Sequence, residues 1–472
     1  MALAFDKMTD PPQAETGPPA RRRGYNYPPG MTANILWFAF RKFKPHDPIE
    51  LFQYLADRYG RLAHYRLGPE HILFLNDPEF IREILVVQND NFVKERTVQR
   101  TKMLLGEGMI TTEGTAHRVQ RRTAQPAFYR QRIPAYADCM VELTSRTGQN
   151  WRDGSMADVA ADMMDLTLNI VSRTLFGREL ADEAREVSAA ITQIMKLYHY
   201  LVLLPGVEML VSLGVPGLSR FTAAKQILDA CVDRLIDEHR NGASPDQRSN
   251  RPDLLSLMLQ DETKETSPTA LRDQVITIFL AGYETVANAL TWTWYLLSQN
   301  PEAEGKLHEE IDSVLGGRLP SSDDLPKLLY SEMVFAESLR LYPPAWAMGR
   351  RALEDFSLGP YFLPRGTTVL ISQFVLHRNP EYFPDPLRFD PDRFLPAAKA
   401  ARTKFTYLPF GAGPRQCIGE AFAWMEGVLV LATIAQQWRL RLAPGARVKP
   451  QPLITLRPKY GMKMVLTKRE KR

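Results

Sequence analysis

A mainly α protein with a minor β portion is the fold class that the sequence predicts, on three observations. Apolar residues recur at i, i+3, i+4, i+7 in most of the periodic stretches, which is the signature of amphipathic helices. Strand-like runs are few and short. No low-complexity stretch or linker cuts the 472 residues into independent halves, so a single domain over 46–472 is expected, preceded by a proline-rich, partly flexible segment 1–45.

In chain order, helices are expected at about 78–88, 115–125, 155–176, 222–240, 271–299, 301–314, 326–341 and 418–438, with capping or breaking residues at many of their ends. Strands are expected at 62–67, 72–75, 367–371, 454–456 and 462–466. The polar run 241–253 contains two prolines and reads as a surface loop between helices. The stretch 275–297 carries one charge, Glu284, and is long enough to span a bilayer. A carboxylate at mid-membrane is costly, so a long helix through a large core, delimited by Pro268 and Pro301, accounts for it better.

Composition removes several function classes. A net charge of +5 does not point to nucleic acid. Three cysteines, Cys139, Cys231 and Cys417, lie far apart without C-x-x-C spacing, so neither a disulfide framework nor a zinc site is indicated, and a reducing cytoplasm fits. The amino end has no apolar signal core, and 35–40 is too short for a membrane anchor.

The most informative segment is Phe410-Gly411-Ala412-Gly413-Pro414-Arg415-Gln416-Cys417-Ile418-Gly419. It reads as a glycine-shaped loop presenting one sulfur where a helix starts, with unpaired N–H groups expected to favour the thiolate that a metal requires. A lone cysteine is usually a packed core residue. Here six positions fit F-G-x-G-x-R-x-C-x-G, a coincidence expected on the order of 10⁻⁵ times in such a chain. The segment resembles the haem-binding signature of the cytochrome P-450 family. The resemblance implies that Cys417 is the axial thiolate of haem b, and that the fold is a triangular helical core with small sheets.

On the long helix, Ala281-Gly282-Tyr283-Glu284-Thr285 sets a carboxylate beside a hydroxyl in apolar surroundings. The plain alternative is that Thr285 bonds back to the carbonyl of Ala281 while Glu284 finds a basic partner. The resemblance places this segment over the haem, with Ala281 against the cofactor. Thr285 is then implied to hydrogen-bond at the oxygen site and Glu284 to relay protons, with Gly282 giving the helix room to open. Tyr283 and Val286 depart from the family's usual His and Thr without removing the acid–alcohol pair.

Glu337 and Arg340 share a helix face at i, i+3, and Arg393 follows in Phe389-Asp390-Pro391-Asp392-Arg393-Phe394. These resemble the family's E-x-x-R and F-x-P-x-R-F elements, which implies a buried charge network behind the cysteine loop. Haem carries two propionates and needs cations. His117, Arg121, Arg350 and Arg415 match the family's basic positions; Arg350 and Arg351 could exchange roles, and Arg350 is preferred. Phe410 and Ala281 complete the implied cofactor contacts. By the same resemblance Phe279, Trp346, Ala347 and Met348 line the substrate pocket, and the apolar run 201–218 forms its entrance.

The implied activity is that of a haem-thiolate monooxygenase that uses O₂ to hydroxylate or epoxidise a lipophilic molecule such as a fatty acid or terpene. No flavin or iron–sulfur motif is visible, so electrons are expected from an acidic ferredoxin or flavodoxin with its reductase, attracted by Arg118, Arg121, Arg122, Arg130 and Arg132. A haem-thiolate peroxygenase or isomerase shares the fold but needs no proton relay. A haem carrier or sensor would bind the cofactor without turnover.

Overall fold

The computed structural model describes residues 24–31, 47–129, 131–180, 183–203, 219–241, 253–260 and 268–470. Its principal helices are α1 (Pro48–Tyr59), α2 (Pro78–Arg82), α3 (Gly114–Ala124), α4 (Ala137–Gln149), α5 (Val159–Phe176), α6 (Glu183–Leu203), α7 (Ser219–Arg240), α8 (Leu254–Gln260), α9 (Pro268–Gln299), α10 (Pro301–Leu315), α11 (Leu329–Leu341) and α12 (Glu420–Gln437). The strands are β1 (Leu62–Leu67), β2 (Glu70–Leu75), β3 (Phe92–Lys94), β4 (Met156–Asp158), β5 (Met348–Ala352), β6 (Phe356–Leu358), β7 (Tyr361–Leu363), β8 (Thr368–Ile371), β9 (Trp438–Leu442), β10 (Pro450–Pro452), β11 (Leu456–Pro458) and β12 (Lys463–Lys468). The chain is therefore mainly helical with small sheets, as expected.

Every helix expected from periodicity is present, with boundaries moved by a few residues. Of the principal helices among the described residues, α1, α4, α6 and α8 were not anticipated. In α1 only Phe52 and Leu55 are buried, and α8 spans seven residues, so neither carries enough apolar repeat to stand out. In α6 the buried stripe Val187, Ala190, Ile191 and Ile194 does have helical spacing. Strands β5 (MGRRA) and β9 (WRLRL) are built around arginines, which masks them as strands. The strand expected at 454–456 is displaced: the residues before Leu456 form the turn between β10 and β11.

Helix α9 runs through the middle of the helical layer and packs against α5, α7, α8, α10, α11 and α12. From Val275 onward most of its side chains are buried, which explains its membrane-like composition. No described helix is long and apolar enough to cross a membrane. A Cβ on Gly282 would lie 3.1 Å from Val171 of α5. Gly282 therefore serves the close approach of α9 and α5.

A five-stranded sheet in the order β1-β2-β8-β5-β3 forms a second layer with its own apolar core. Part of the amino-terminal segment docks on it and on the separate β6–β7 hairpin, since Met31 N donates to His64 O of β1 at 2.8 Å and Asn26 N to Phe362 O of β7 at 3.1 Å. A three-stranded sheet, β4-β12-β9, ties the carboxyl end to α5. The runs 201–218 and 241–253 lie almost wholly outside the described residues.

Candidate active site

The cysteine loop is held from three sides. Cys417 N donates to Phe410 O at 2.9 Å, closing the loop, and Leu408 N donates to the buried His377 Nε2 at 2.8 Å, anchoring its approach. Gly411 and Gly413 have φ of 72° and 71°, which only glycine adopts freely. A Cβ on Gly413 would also fall 2.1 Å from Leu85 O. On the third side, Arg121 Nη1 of α3 donates to Gln416 O at 2.8 Å. Phe410 packs against Trp424 of α12 with ring centroids 5.7 Å apart.

Helix α12 starts at Glu420 with Gly419 as its cap, so Cys417 precedes the first turn and does not sit in it. The Gly419 amide favours the thiolate, but burial outweighs it and pushes the thiol up to about 11. The amide donor thus acts in the direction expected, toward the thiolate, but it is outweighed by burial; a bound metal would supply the further stabilisation of the thiolate.

Behind the loop, Glu337 and Arg340 are both fully buried and pair in a bidentate fork, Arg340 Nε at 2.6 Å and Nη2 at 2.7 Å from the two carboxylate oxygens. Arg340 also donates to the carbonyls of His377, Pro386 and Arg388, and Arg393 Nε stands 3.6 Å from Glu337. The three residues come together as expected. His377 was missed; it joins this network to the cysteine loop.

A cationic group faces the loop. Arg415 donates to Thr112 O at 2.9 Å and pairs with Glu113. Arg350 is buried, and burial followed by the charge of Arg415 pushes its guanidinium down to about 10. His117 is buried on α3; burial, then Arg415, Arg121, Lys94 and Arg118, drive its imidazole down to about 3, so it is neutral. Lys94, which sequence reasoning missed, lies opposite Arg350 in the antiparallel β3–β5 register, and directly opposed residues share a face of the sheet. Burial, then Arg350 and Arg415, lower it to about 7. The same register puts Arg351 on the other face, beside Gly366, so Arg350 and not Arg351 joins the group.

Haem fits this donor set. Lys94, Arg350 and Arg415 feel the carboxylate of Glu113, Lys94 and Arg350 also that of Glu95, while Arg121 stands beside Cys417, so cations outnumber the carboxylates at a place where two propionates would need them. Lys94 and Cys417 lie deep in the protein yet keep solvent-accessible surface, which marks an internal slot. Ala281 is exposed at the centre of α9, between buried Leu280 and half-buried Gly282, and Thr285 is half-buried one turn on, so α9 presents an open face there.

Both members of the acid–alcohol pair have protein partners. Thr285 Oγ1 donates to Ala281 O at 2.9 Å. Glu284, 2% exposed, accepts from Arg457 Nε at 2.7 Å and from Thr455. Neither Thr455 nor Arg457 was singled out from sequence.

Of the proposed pocket residues, Phe279 is a correction: it is fully buried, 5.9 Å from Phe176 of α5 and 6.4 Å from Tyr283 in ring centroids, on the core side of α9. Trp346 donates to Leu453 O at 2.9 Å and, with Ala347, packs in part against the cluster of Phe52 and Phe74. Met348 shares a face of β5 with Arg350, two residues on, and reaches toward Gly411, on the cysteine side.

The family model described as Cytochrome P450 matches residues 28–464. Among curated proteins, the chain is 40% identical to "Cyclooctatin synthase" of Streptomyces melanosporofaciens, over 86% of this chain and 88% of that protein. It is 36% identical to "Pentalenene oxygenase" of Streptomyces avermitilis, over 87% of this chain and 91% of the relative. It is also 36% identical to "Cyclooctat-9-en-7-ol 5-monooxygenase" of Streptomyces melanosporofaciens, over 83% and 86%.

Proposed function

Since the chain belongs to the cytochrome P450 family, and is with it a haem-dependent monooxygenase, we propose that its substrate is a terpene hydrocarbon or alcohol and that Thr285 and Glu284 manage the protons of the reaction. The observation that carries this reading is the open face of α9 at Ala281 and Thr285, in a protein whose slot also exposes Cys417. The relatives named for pentalenene and cyclooctat-9-en-7-ol support the substrate class.

Cys417 is the thiolate ligand in this reading, and His117, Arg121, Arg350, Arg415 and Lys94 hold the propionates. When bound, haem supplies the iron chemistry that activates O₂. The protein's part is to exclude bulk water, orient the substrate and deliver protons at one place. Thr285 breaks its bond to Ala281 O and offers its hydroxyl to the slot. Glu284, next to it, passes protons inward from solvent. Electrons come from a separate acidic ferredoxin or flavodoxin in the cytoplasm, which docks near Arg118 and Arg122, both exposed on α3. Arg121 is turned toward the cysteine loop, Arg132 is half-buried, and Arg130 lies outside the described residues.

The test has two arms. Terpene hydrocarbons and alcohols, and fatty acids for contrast, are titrated against the purified protein while its haem absorption is followed, and product is analysed with a surrogate reductase. Thr285→Ala is expected to lower product per NAD(P)H about tenfold or more, with the balance released as peroxide. A response to fatty acids alone sinks the substrate class, and undiminished product from Thr285→Ala sinks the relay.

A further inference from the structure

A second group of cations lies on the other face of β5. Arg351 follows Arg350, so alternation along the strand turns it away from the cysteine loop. With Arg96, just past β3, and Arg365, in the turn between β7 and β8, it lines a cavity of about 180 Å³ at one end of the five-stranded sheet. Arg96 and Arg365 are exposed and Arg351 is half-buried, so the cavity is reached from solvent past the first two. Nothing in the chemistry at Cys417 or Thr285 uses this place.

Its charges are not balanced. Among the described residues the cavity has one lining carboxylate, Glu70 at the start of β2, and Arg96 already pairs with it. The guanidinium groups of Arg351 and Arg365 have neither a hydrogen bond nor an ion pair among the described residues. Asp355 accepts the backbone N–H of Arg365 and the hydroxyl of Tyr25, each at 2.7 Å, and acts on the Arg365 guanidinium only through its field. His71 has both ring nitrogens engaged, 3.0 Å from His64 Nε2 and 3.5 Å from Tyr27 Oη. The backbone sets Arg351 in place: its Nη2 lies 3.1 Å from where a Cβ on Gly366 would stand, and Gly366 has φ of 80°. Arg351 Nε is buried without a partner. A half-buried, under-bonded guanidinium carries an unmet desolvation cost, which an anion beside it would offset.

We propose that this cavity binds a phosphate or diphosphate group, of a small soluble molecule or of a lipid headgroup, between Arg351 and Arg365 with Arg96 at the rim. A guanidinium presents two parallel N–H donors, and one such fork uses both oxygens of a carboxylate. Two unpaired guanidiniums reaching one cavity from a strand and a turn call for more oxygens than that, and a tetrahedral phosphate supplies them. Glu70 keeps its own arginine when the anion enters, so it leaves the other two free to bind. The site is separate from the group facing the cysteine loop, because Arg350 and Arg351 project from opposite faces of β5.

Inorganic diphosphate is titrated calorimetrically into the full-length, haem-loaded protein at about 150 mM salt, where attraction to scattered surface charge is screened. One-to-one binding with a Kd of about 1 mM or tighter is expected, with acetate about tenfold weaker or more. Arg351→Gln and Arg365→Gln are each expected to weaken diphosphate about tenfold, and Arg152→Gln, at an exposed arginine ahead of β4, to leave it unchanged. In the second arm, phosphatidylcholine vesicles with and without phosphatidic acid are sedimented with the protein. Calorimetric binding alone assigns the phosphate to a soluble molecule; capture by phosphatidic acid vesicles that Arg365→Gln abolishes assigns it to a headgroup, and either supports the site. If Arg351→Gln does not fold, Arg365→Gln, at an exposed turn, decides alone. A Kd above about 10 mM together with no vesicle capture overturns the proposal. So does binding that Arg365→Gln leaves intact, or that Arg152→Gln weakens as much.

Discussion

Lys94 is poised between two protonation states, with its ammonium lowered to about 7 by burial and by Arg350 and Arg415. A propionate beside it raises that value, so haem binding at this position takes up a proton above pH 7. The gain is therefore full below about pH 7 and is lost as pH rises through the bound-state value. Lys94→Met is expected to weaken haem retention about tenfold near pH 6.5, with the ratio to wild type shrinking toward one by about pH 10, as measured by haem transfer to a scavenger protein. A constant ratio across that range would exclude Lys94 from the propionate site. Cys417→Ser is expected to abolish the red-shifted absorption of the reduced carbon monoxide adduct. Cys417, His117, Arg121 and Arg415 were legible because each lies within a short motif. Lys94 was not, because only the pairing of β3 with β5 brings it opposite Arg350. Arg457 and Thr455 are hidden for the same reason, being placed by a hairpin about a third of the chain away from Glu284.

Within elements, backbone shape and buried charge set the tolerances. Gly413→Ala drives a Cβ to 2.1 Å from Leu85 O at a positive φ, whereas a Cβ on Gly419 meets nothing closer than Phe128 at 3.7 Å. Gly413→Ala is thus expected to cost about 1–3 kcal/mol and much of the haem-loaded yield, and Gly419→Ala little, by thermal melting and haem content. Glu337→Gln leaves Arg340 buried and half-paired, for an expected loss of about 3–5 kcal/mol in the same melting assay. Long helices with continuous apolar stripes were readable. Helix α1 was not, since two buried residues make no period, and β5 and β9 were disguised by arginines that their tertiary setting buries or pairs.

For the molecule as a whole, class and core were legible but topology was not. The parallel pairing of β2 with β8 joins segments almost 300 residues apart, and no local pattern announces it. Charge distribution at this scale bears on the electron donor. Arg118 and Arg122 are exposed on α3 beside Val119, so the proposed acidic partner would be drawn there by a field that salt screens. Turnover with a ferredoxin is expected to fall severalfold between about 50 and 500 mM salt, and Arg118→Glu with Arg122→Glu to flatten that dependence while leaving substrate titrations alone. The cationic cradle of Lys94, Arg121, Arg350 and Arg415 has one more consequence. In the proposed site it would hold the propionates at the rim of the macrocycle, and none of its groups would meet the centre. Cells short of iron but still making protoporphyrin should therefore yield a protein that glows red under near-ultraviolet light, an emission that metal would quench.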